Sequence, residues 1–232
     1  MTAGLNRRSL LLGLAGLPIA SGCTQVSQLG AGMGLDYTST GTIRPAISID
    51  PNVTNPEKMY AAVTEGSYSL PAIPYEKMPA KYRRQIVPNT TGEAPGTLVV
   101  ETKEHLLYLV QPGGDAIRYG VGIGKAGFEW SGRAVIQYKK KWPTWTPPAE
   151  MIGRRPELVK FANGQPGGPD NPLGARALYI FKDGQDTLYR VHGSPEWWTI
   201  GQSMSSGCVR LINQDIIDLY DRVSVGSPIV VR

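Results

Sequence analysis

Residues 189–211 read YRVHGSPEWWTIGQSMSSGCVRL, and the rest of the chain is interpreted from this stretch. Tyr189-Arg190-Val191 has the composition of a short strand, with His192 at its end and Gly193 opening a turn. Cys208-Val209-Arg210-Leu211 alternates as a half-buried strand does, with Cys208 and Arg210 on one face and Val209 and Leu211 on the other. Ser205-Ser206-Gly207, just before the cysteine, is turn-forming. The chain holds two histidines and two cysteines. His105 heads HLLYLV, an apolar run that reads as an ordinary strand, and Cys23 ends a segment that reads as a sorting signal. The globular part is therefore left with one thiol, and a histidine stands sixteen residues before it.

A lone cysteine with a histidine elsewhere in the fold is a candidate nucleophile and base. The thiol reacts as thiolate, so it needs a base or cationic neighbour and some exposure. Backbone N–H groups of the turn at Gly207 and Cys208 are the expected donors to a developing oxyanion. Composition alone favours the inert reading, a small core cysteine and a satisfied polar histidine. A structural zinc site fares worse, because it needs four Cys or His ligands and this domain does not supply them.

Outward from this stretch, the pattern is of short strands. Thr97–Glu101 and Leu106–Val110 read as a hairpin, followed by Ala116–Ile123, Ala134–Tyr138, Leu178–Phe181 and Ser227–Val231. One helix follows the Cys208 strand: Asn213 is its expected cap, Ile216, Leu219, Tyr220 and Val223 its buried face, and Gly226 its stop. These elements predict a mainly β fold, a β-sandwich or barrel-like stack of sheets with one helix. Between Lys141 and Ala177 lies a long Trp-, Pro- and Gly-rich segment that reads either as a lid beside the site or as tryptophans covering a sheet face. Residues 24–94 read as a tether and weakly structured extension, with a short helix over Glu57–Val63 after Asn55-Pro56 and a turn over Pro79–Gln85. The domain proper is expected over residues 95–232.

The chain has 232 residues, enough for one sizeable core plus extensions. With 28 glycines, 19 prolines and 19% charged residues, it is β-rich and loop-rich rather than a helix bundle. The net charge of +5 is spread out, and its one tight basic run, Lys139-Lys140-Lys141, reads as a solvated strand end. No nucleic-acid module is recognisable, so no nucleic-acid partner is expected. Residues 1–23 read as an export signal: Arg7-Arg8, an apolar run over Leu10–Ala20, then Ala20-Ser21-Gly22-Cys23. The apolar run is too short to span a bilayer as a mature anchor. Asn6-Arg7-Arg8-Ser9-Leu10-Leu11 resembles a twin-arginine motif, and the end resembles a lipobox in which Cys23 would be lipidated. Ala20 departs from the usual lipobox leucine, which leaves ordinary signal-peptidase cleavage open.

The stretch HGSPEWWTIGQSMSSGCVRL resembles the signature of the L,D-transpeptidases with a YkuD-type catalytic domain: HG, a variable stretch, G, then S-x-G-C-[IV]-R. The match runs through His192, Gly193, Gly201, Ser205, Gly207, Cys208 and Arg210, and similarity extends over roughly residues 95–232. Many relatives carry a second histidine where this chain has Ser206. The resemblance implies a YkuD-like stack of sheets and a cysteine acyltransferase needing no cofactor or metal. It implies that Cys208 is the nucleophile, His192 the base and the Gly193 carbonyl its orienting acceptor. Arg210, Ser206, Ser205 and Gly201 are then candidate substrate-binding residues, with Arg210 either binding a carboxylate or bracing the local turn. The implied partner is a peptidoglycan stem peptide, with carbapenems as inhibitors and membrane contact only through a lipid on Cys23. A carboxypeptidase and a lipoprotein-to-wall ligase would use the same site. A wall-binding lipoprotein without catalysis is the alternative of another class; it needs no thiol.

Overall fold

The structure is a computed structural model that describes residues 35–37, 43–45, 51–124, 131–204 and 208–232. The chain divides into two units, Met1–Ala46 and Ile47–Arg232. In the first, strands β1 (Leu35–Tyr37) and β2 (Ile43–Pro45) pair antiparallel. The export signal and Cys23 lie outside the described residues.

The second unit carries an eleven-stranded sheet. Strands β6 (Leu98–Glu101), β7 (Leu106–Val110) and β8 (Asp115–Gly120) form an antiparallel meander, and β5 (Gln85–Pro88) adds to the edge of β8. On the other side of β6 runs β15 (Pro228–Val231), parallel to it, then β10 (Gly132–Lys141) and β11 (Arg176–Lys182). The order continues through β12 (Gln185–Ser194), β14 (Val209–Ile212), β9 (Gly122–Gly124) and the edge strand β13 (Ser203–Met204).

Strands β8 and β9 stand near opposite ends of this order, yet Val121 alone joins them. The sheet therefore closes back on itself. The single strand expected over Ala116–Ile123 is the corner where it does so. Leu98 and Val100, Leu107 and Leu109, Ile117 and Tyr119, Ile123, Ile136, Leu178, Val191, Val209 and Leu211 all enter one core. This is the barrel-like stack that alternation in the strands predicts. Helix α4 (Asn213–Arg222) lays Ile216 and Leu219 into the same core, with Tyr220 only partly buried. It ends at Arg222 with Val223 as C-cap, before Gly226. Its N-cap is Ile212, and Asn213 does not cap it.

The alternate residues of the meander, Val99, Leu106, Tyr108 and Val110, are buried as well, against a second cluster. Its other half comes from residues expected to be a loose extension: Met59, Tyr60, Met78 and Tyr82. Each such side chain contributes about 1.5–3 kcal/mol when taken out of water. Polar contacts add to this. The Arg84 N–H donates to the Tyr60 hydroxyl at 2.7 Å, and the Arg84 guanidinium lies 2.9 Å from Asp218 and 3.5 Å from the fully buried Asp215 of α4. Residues 53–94 are thus built into the unit that carries the meander, and alternation on both faces of β6 and β7 is the reason. Within this segment, α1 spans Pro51–Thr54 and α2 spans Pro56–Met59. Asn55 caps α2 as its position before a proline predicts, although the helix is shorter than Glu57–Val63.

The long Trp- and Pro-rich segment is ordered. It contains α3 (Ala149–Arg154), a 3₁₀ run over Pro156–Phe161 and a bridge between Trp145 and Gln165. Asn171 holds it together by donating to the carbonyls of Pro143, Gln165 and Pro166. Trp142 packs against Tyr68 with the rings tilted by 34° and their centroids 4.3 Å apart, and its indole N–H donates to Glu65 at 3.0 Å. Tyr68 and Glu65 belong to a hairpin of β3 (Val63–Glu65) and β4 (Tyr68–Leu70). Trp142 therefore works as a covering residue.

Candidate active site

Strands β12 and β14 run parallel, with Val191 paired to Val209 and His192 to Arg210. Partners across a pair share a face, so Val191 and Val209 point to the core while His192 and Arg210 point to the opposite side. Cys208 stands one residue before β14, and alternation puts it on the face of Arg210. The same reasoning puts Arg190 there with His192. The register of β12 and β14 thus puts His192 on the face that alternation gives Cys208 and Arg210. His192 is reached inside a ten-residue strand rather than at the end of a three-residue one. The reason is that β12 keeps β11 on one side and gains β14 on the other.

His192 is 5% exposed, and its Nδ1 lies 2.6 Å from the Gly193 carbonyl oxygen. A carbonyl only accepts, so Nδ1 carries the proton and Nε2 is left with the lone pair. Burial lowers the imidazole pKa to about 4; the Gly193 carbonyl works against this, and the charges of Arg210 and Arg190 reinforce it. The ring is neutral near pH 7.

The half-buried Cys208 is held by its backbone, whose carbonyl accepts from Gly124 N–H at 3.2 Å. Burial pushes the thiol up from its ordinary value, against the pull of the Arg190 backbone N–H on the sulfur and the charges of Arg190 and Arg210. The resting pair is therefore thiol and neutral imidazole. The Arg190 guanidinium is occupied: it donates twice to Asp186, at 2.6 and 2.7 Å, and lies over the Tyr179 ring.

Arg210 is nearly buried, and its two edges differ. Nη1 lies 3.8 Å from the Glu196 carboxylate, while Nε and Nη2 face the backbone at Gly122 and have no hydrogen-bond partner among the described residues. Among the described residues, only the Nη1 side looks toward an exposed acid.

Gly201 sits at φ +83°, with its backbone N–H donating to the Val121 carbonyl at 3.0 Å. A Cβ there would come within 2.2 Å of the Tyr82 ring. It is a close-approach glycine between the site loop and the N-terminal segment. Beside it, Lys77, Met78, Tyr82, Trp197, Trp198 and Ile200 line a cleft of about 220 Å³. Ser205, Ser206 and Gly207, three of the expected site residues, lie outside the described residues. His105 sits in a turn at φ +59° before β7, with Nε2 3.1 Å from the Ser203 hydroxyl. Among the described residues, no group of three or more His, Cys, Asp or Glu side chains is placed to hold a metal ion. No helix among them is long and apolar enough to cross a membrane.

Sequence reasoning missed three features of this site: the Arg190 N–H on the sulfur, Glu196 beside Arg210, and the contact of Tyr82 with Gly201. Only the last had a signal, an isolated glycine in a run of large residues.

A family model described as the YkuD L,D-transpeptidase catalytic domain matches residues 95–231. Among curated proteins, the chain is 37% identical to "Probable L,D-transpeptidase ErfK/SrfK" of Escherichia coli over 149 residues, covering 61% of this chain and 44% of that protein. It is also 37% identical to "Probable L,D-transpeptidase YbiS" of the same species over 148 residues, covering 61% and 45%. The matched region thus spans less than half the length of those relatives. Among solved structures, a probable carnitine operon oxidoreductase CaiA from Brucella melitensis is 48% identical, covering 66% of this chain and 95% of that one, with a TM-score of 0.47.

Proposed function

Because this chain belongs to the YkuD family of L,D-transpeptidase catalytic domains, we propose that it is a peptidoglycan L,D-transpeptidase working through a Cys208 thioester. The observation that carries this reading is the parallel register of β12 and β14, with His192 Nδ1 tied to Gly193 O and Nε2 left as a base.

The donor is a tetrapeptide stem. As the sulfur attacks the carbonyl carbon before the terminal D-alanine, the thiol proton passes to His192 Nε2. The tetrahedral oxyanion is met by the backbone N–H groups of Gly207 and Cys208. It collapses with cleavage of the C–N bond, His192 returns the proton to the departing amine of D-alanine, and a thioester remains. The side-chain amine of a diaminoacid in an acceptor stem then attacks, His192 again takes a proton, and the amide forms as the sulfur leaves and is reprotonated. Each proton lent to His192 is returned, so no cofactor or metal enters the balance.

A neutral resting pair suits this cycle, because a base that starts empty accepts the proton only as the sulfur bonds to carbon. Arg210 Nη1 is the group suited to a donor carboxylate, which would replace Glu196 there; Gly201, Ser205 and Ser206 are the further substrate-binding candidates that the family resemblance gives. The substrate lies outside the cytoplasm, in keeping with the export signal read over residues 1–23 and a lipid on Cys23.

The test is purified protein with muropeptides, followed by mass spectrometry of the products. Cross-linked dimers with loss of D-alanine support the transpeptidase; shortened stems alone would replace it with a carboxypeptidase. Intact mass after carbapenem treatment should show one adduct that Cys208→Ala abolishes. Absence of any adduct would return the chain to a non-catalytic wall binder.

A further inference from the structure

We infer that Asn213 is a positioning residue for His192, acting through the backbone of Gly193. The inference rests on the reading of His192 as the base. Asn213 is the first residue of α4, one place after its N-cap Ile212, and α4 has no side-chain cap bond at that N-cap. Its Oδ1 accepts from the N–H of Ala175 at 2.9 Å, just before the start of β11.

That oxygen is wedged against Gly193. A Cβ built on Gly193 would come within 2.3 Å of Asn213 Oδ1, and one built on Gly174 (φ +60°) within 2.2 Å of it and 2.6 Å of the Gly193 carbonyl carbon. Gly174, Ala175, Gly193 and Asn213 therefore pack with no room for a side chain on either glycine. Asn213 is 4% exposed and Ala175 is fully buried, so water does not substitute for either partner.

The consequence for His192 is geometric. Its Nδ1 is held by the Gly193 carbonyl, and the orientation of that carbonyl is set by the peptide plane that Asn213 and Gly174 press against. Release of the Asn213 wedge lets the plane rotate, and the imidazole loses both its tautomer and its aim. A shift of about 1 Å in a reacting group costs on the order of a hundredfold in rate. Outer partners that orient a histidine cost about tenfold to a hundredfold when removed.

The experiment uses the full chain and two readouts, carbapenem acylation of Cys208 and the ¹⁵N shifts of the His192 ring. Asn213→Ala is expected to slow acylation about tenfold to a hundredfold and to lower the fraction of His192 protonated at Nδ1 at neutral pH. Asn213→Asp keeps an acceptor for the Ala175 N–H and should restore the Nδ1 tautomer. Gly174→Ala, outside the site, should reproduce the Asn213→Ala loss by pushing the same oxygen away. Should Asn213→Ala not fold, the aspartate and Gly174→Ala variants carry the comparison against wild type. Folded variants with wild-type acylation and an unchanged tautomer would overturn the inference. An acylation-silent wild type whose ring shifts still respond to Asn213 would instead overturn the enzymatic reading and leave the positioning role standing.

Discussion

The backbone N–H of Arg190 hydrogen-bonds the sulfur of Cys208, while the guanidinium of the same residue is held by Asp186. The Arg190 charge that also acts on the sulfur is thus already shared with a carboxylate. Burial outweighs both, which is why the thiol stays above its ordinary value. Nucleophilicity must come from the base at the moment of reaction.

The pH profile of acylation follows. With His192 at about 4 and the thiol raised, the base is empty and the sulfur protonated across the neutral range. Carbapenem acylation should be nearly flat around pH 7 and fall only as His192 gains its proton toward pH 4. His192→Ala should lower the plateau by roughly a hundredfold to ten-thousandfold. An acid limb at the ordinary histidine value, measured from rate against pH, would contradict the buried neutral ring.

The same residue sets a stability prediction. The folded pKa of about 4 lies below the ordinary 6.5, so the unfolded chain binds the extra proton between these values. Stability is complete above pH 6.5 and is lost as pH falls toward 4, by about 3 kcal/mol in all. Asp215 acts in the opposite sense, because burial raises its pKa and the folded state then binds the extra proton. Its effect cancels in the difference between wild type and His192→Gln, measured by urea unfolding across the window. A difference independent of pH would show that the folded ring titrates as a free one does.

Glu65 holds Arg176 and Trp142 together, accepting from their side chains at 2.6 and 3.0 Å. Arg176 is 1% exposed, so its charge has little water to fall back on. Breaking a fully buried pair costs about 3–5 kcal/mol, and since Glu65 is one-third exposed we expect about 2 kcal/mol for Glu65→Ala. Arg176 also holds the Glu65 carboxyl below its usual range, so this stability fades as pH falls through that lowered pKa. Denaturation midpoints at pH 7 and in acid measure both effects; an unchanged midpoint at pH 7 would make the hairpin a mere covering.

The strands and the shared face of Cys208 and Arg210 were legible because alternation is a local signal. Val209-Arg210-Leu211 shows it within three residues. Burial on both faces of β6 and β7 was not, since a strand covered twice reads as a continuous apolar run whatever covers it. Its cover, Met59, Tyr60, Met78 and Tyr82, has no period of its own. The closure of the sheet at Val121 and the turn of Asn213 away from its helix depend on contacts distant in sequence. A capping residue and a wedge look alike until the neighbouring strand is in place.

Gly201 offers a test of how the N-terminal segment supports the site. Both Gly201 (φ +83°) and Gly92 (φ +76°) have left-handed backbones, but a Cβ on Gly92 meets nothing within 4 Å, whereas one on Gly201 meets the Tyr82 ring at 2.2 Å. Alanine at either position bears the backbone strain, roughly 1 kcal/mol. Only Gly201→Ala must also displace Tyr82, whose ring belongs to the second core, and overpacking of this kind adds about 1–3 kcal/mol. Gly201→Ala should therefore unfold at lower denaturant than Gly92→Ala and slow Cys208 acylation, because Gly201 lies on the loop between the His192 and Cys208 strands. Combining it with Tyr82→Ala should recover part of the acylation rate by removing the clash. Equal losses from the two glycine variants would separate the segment around Tyr82 from the site.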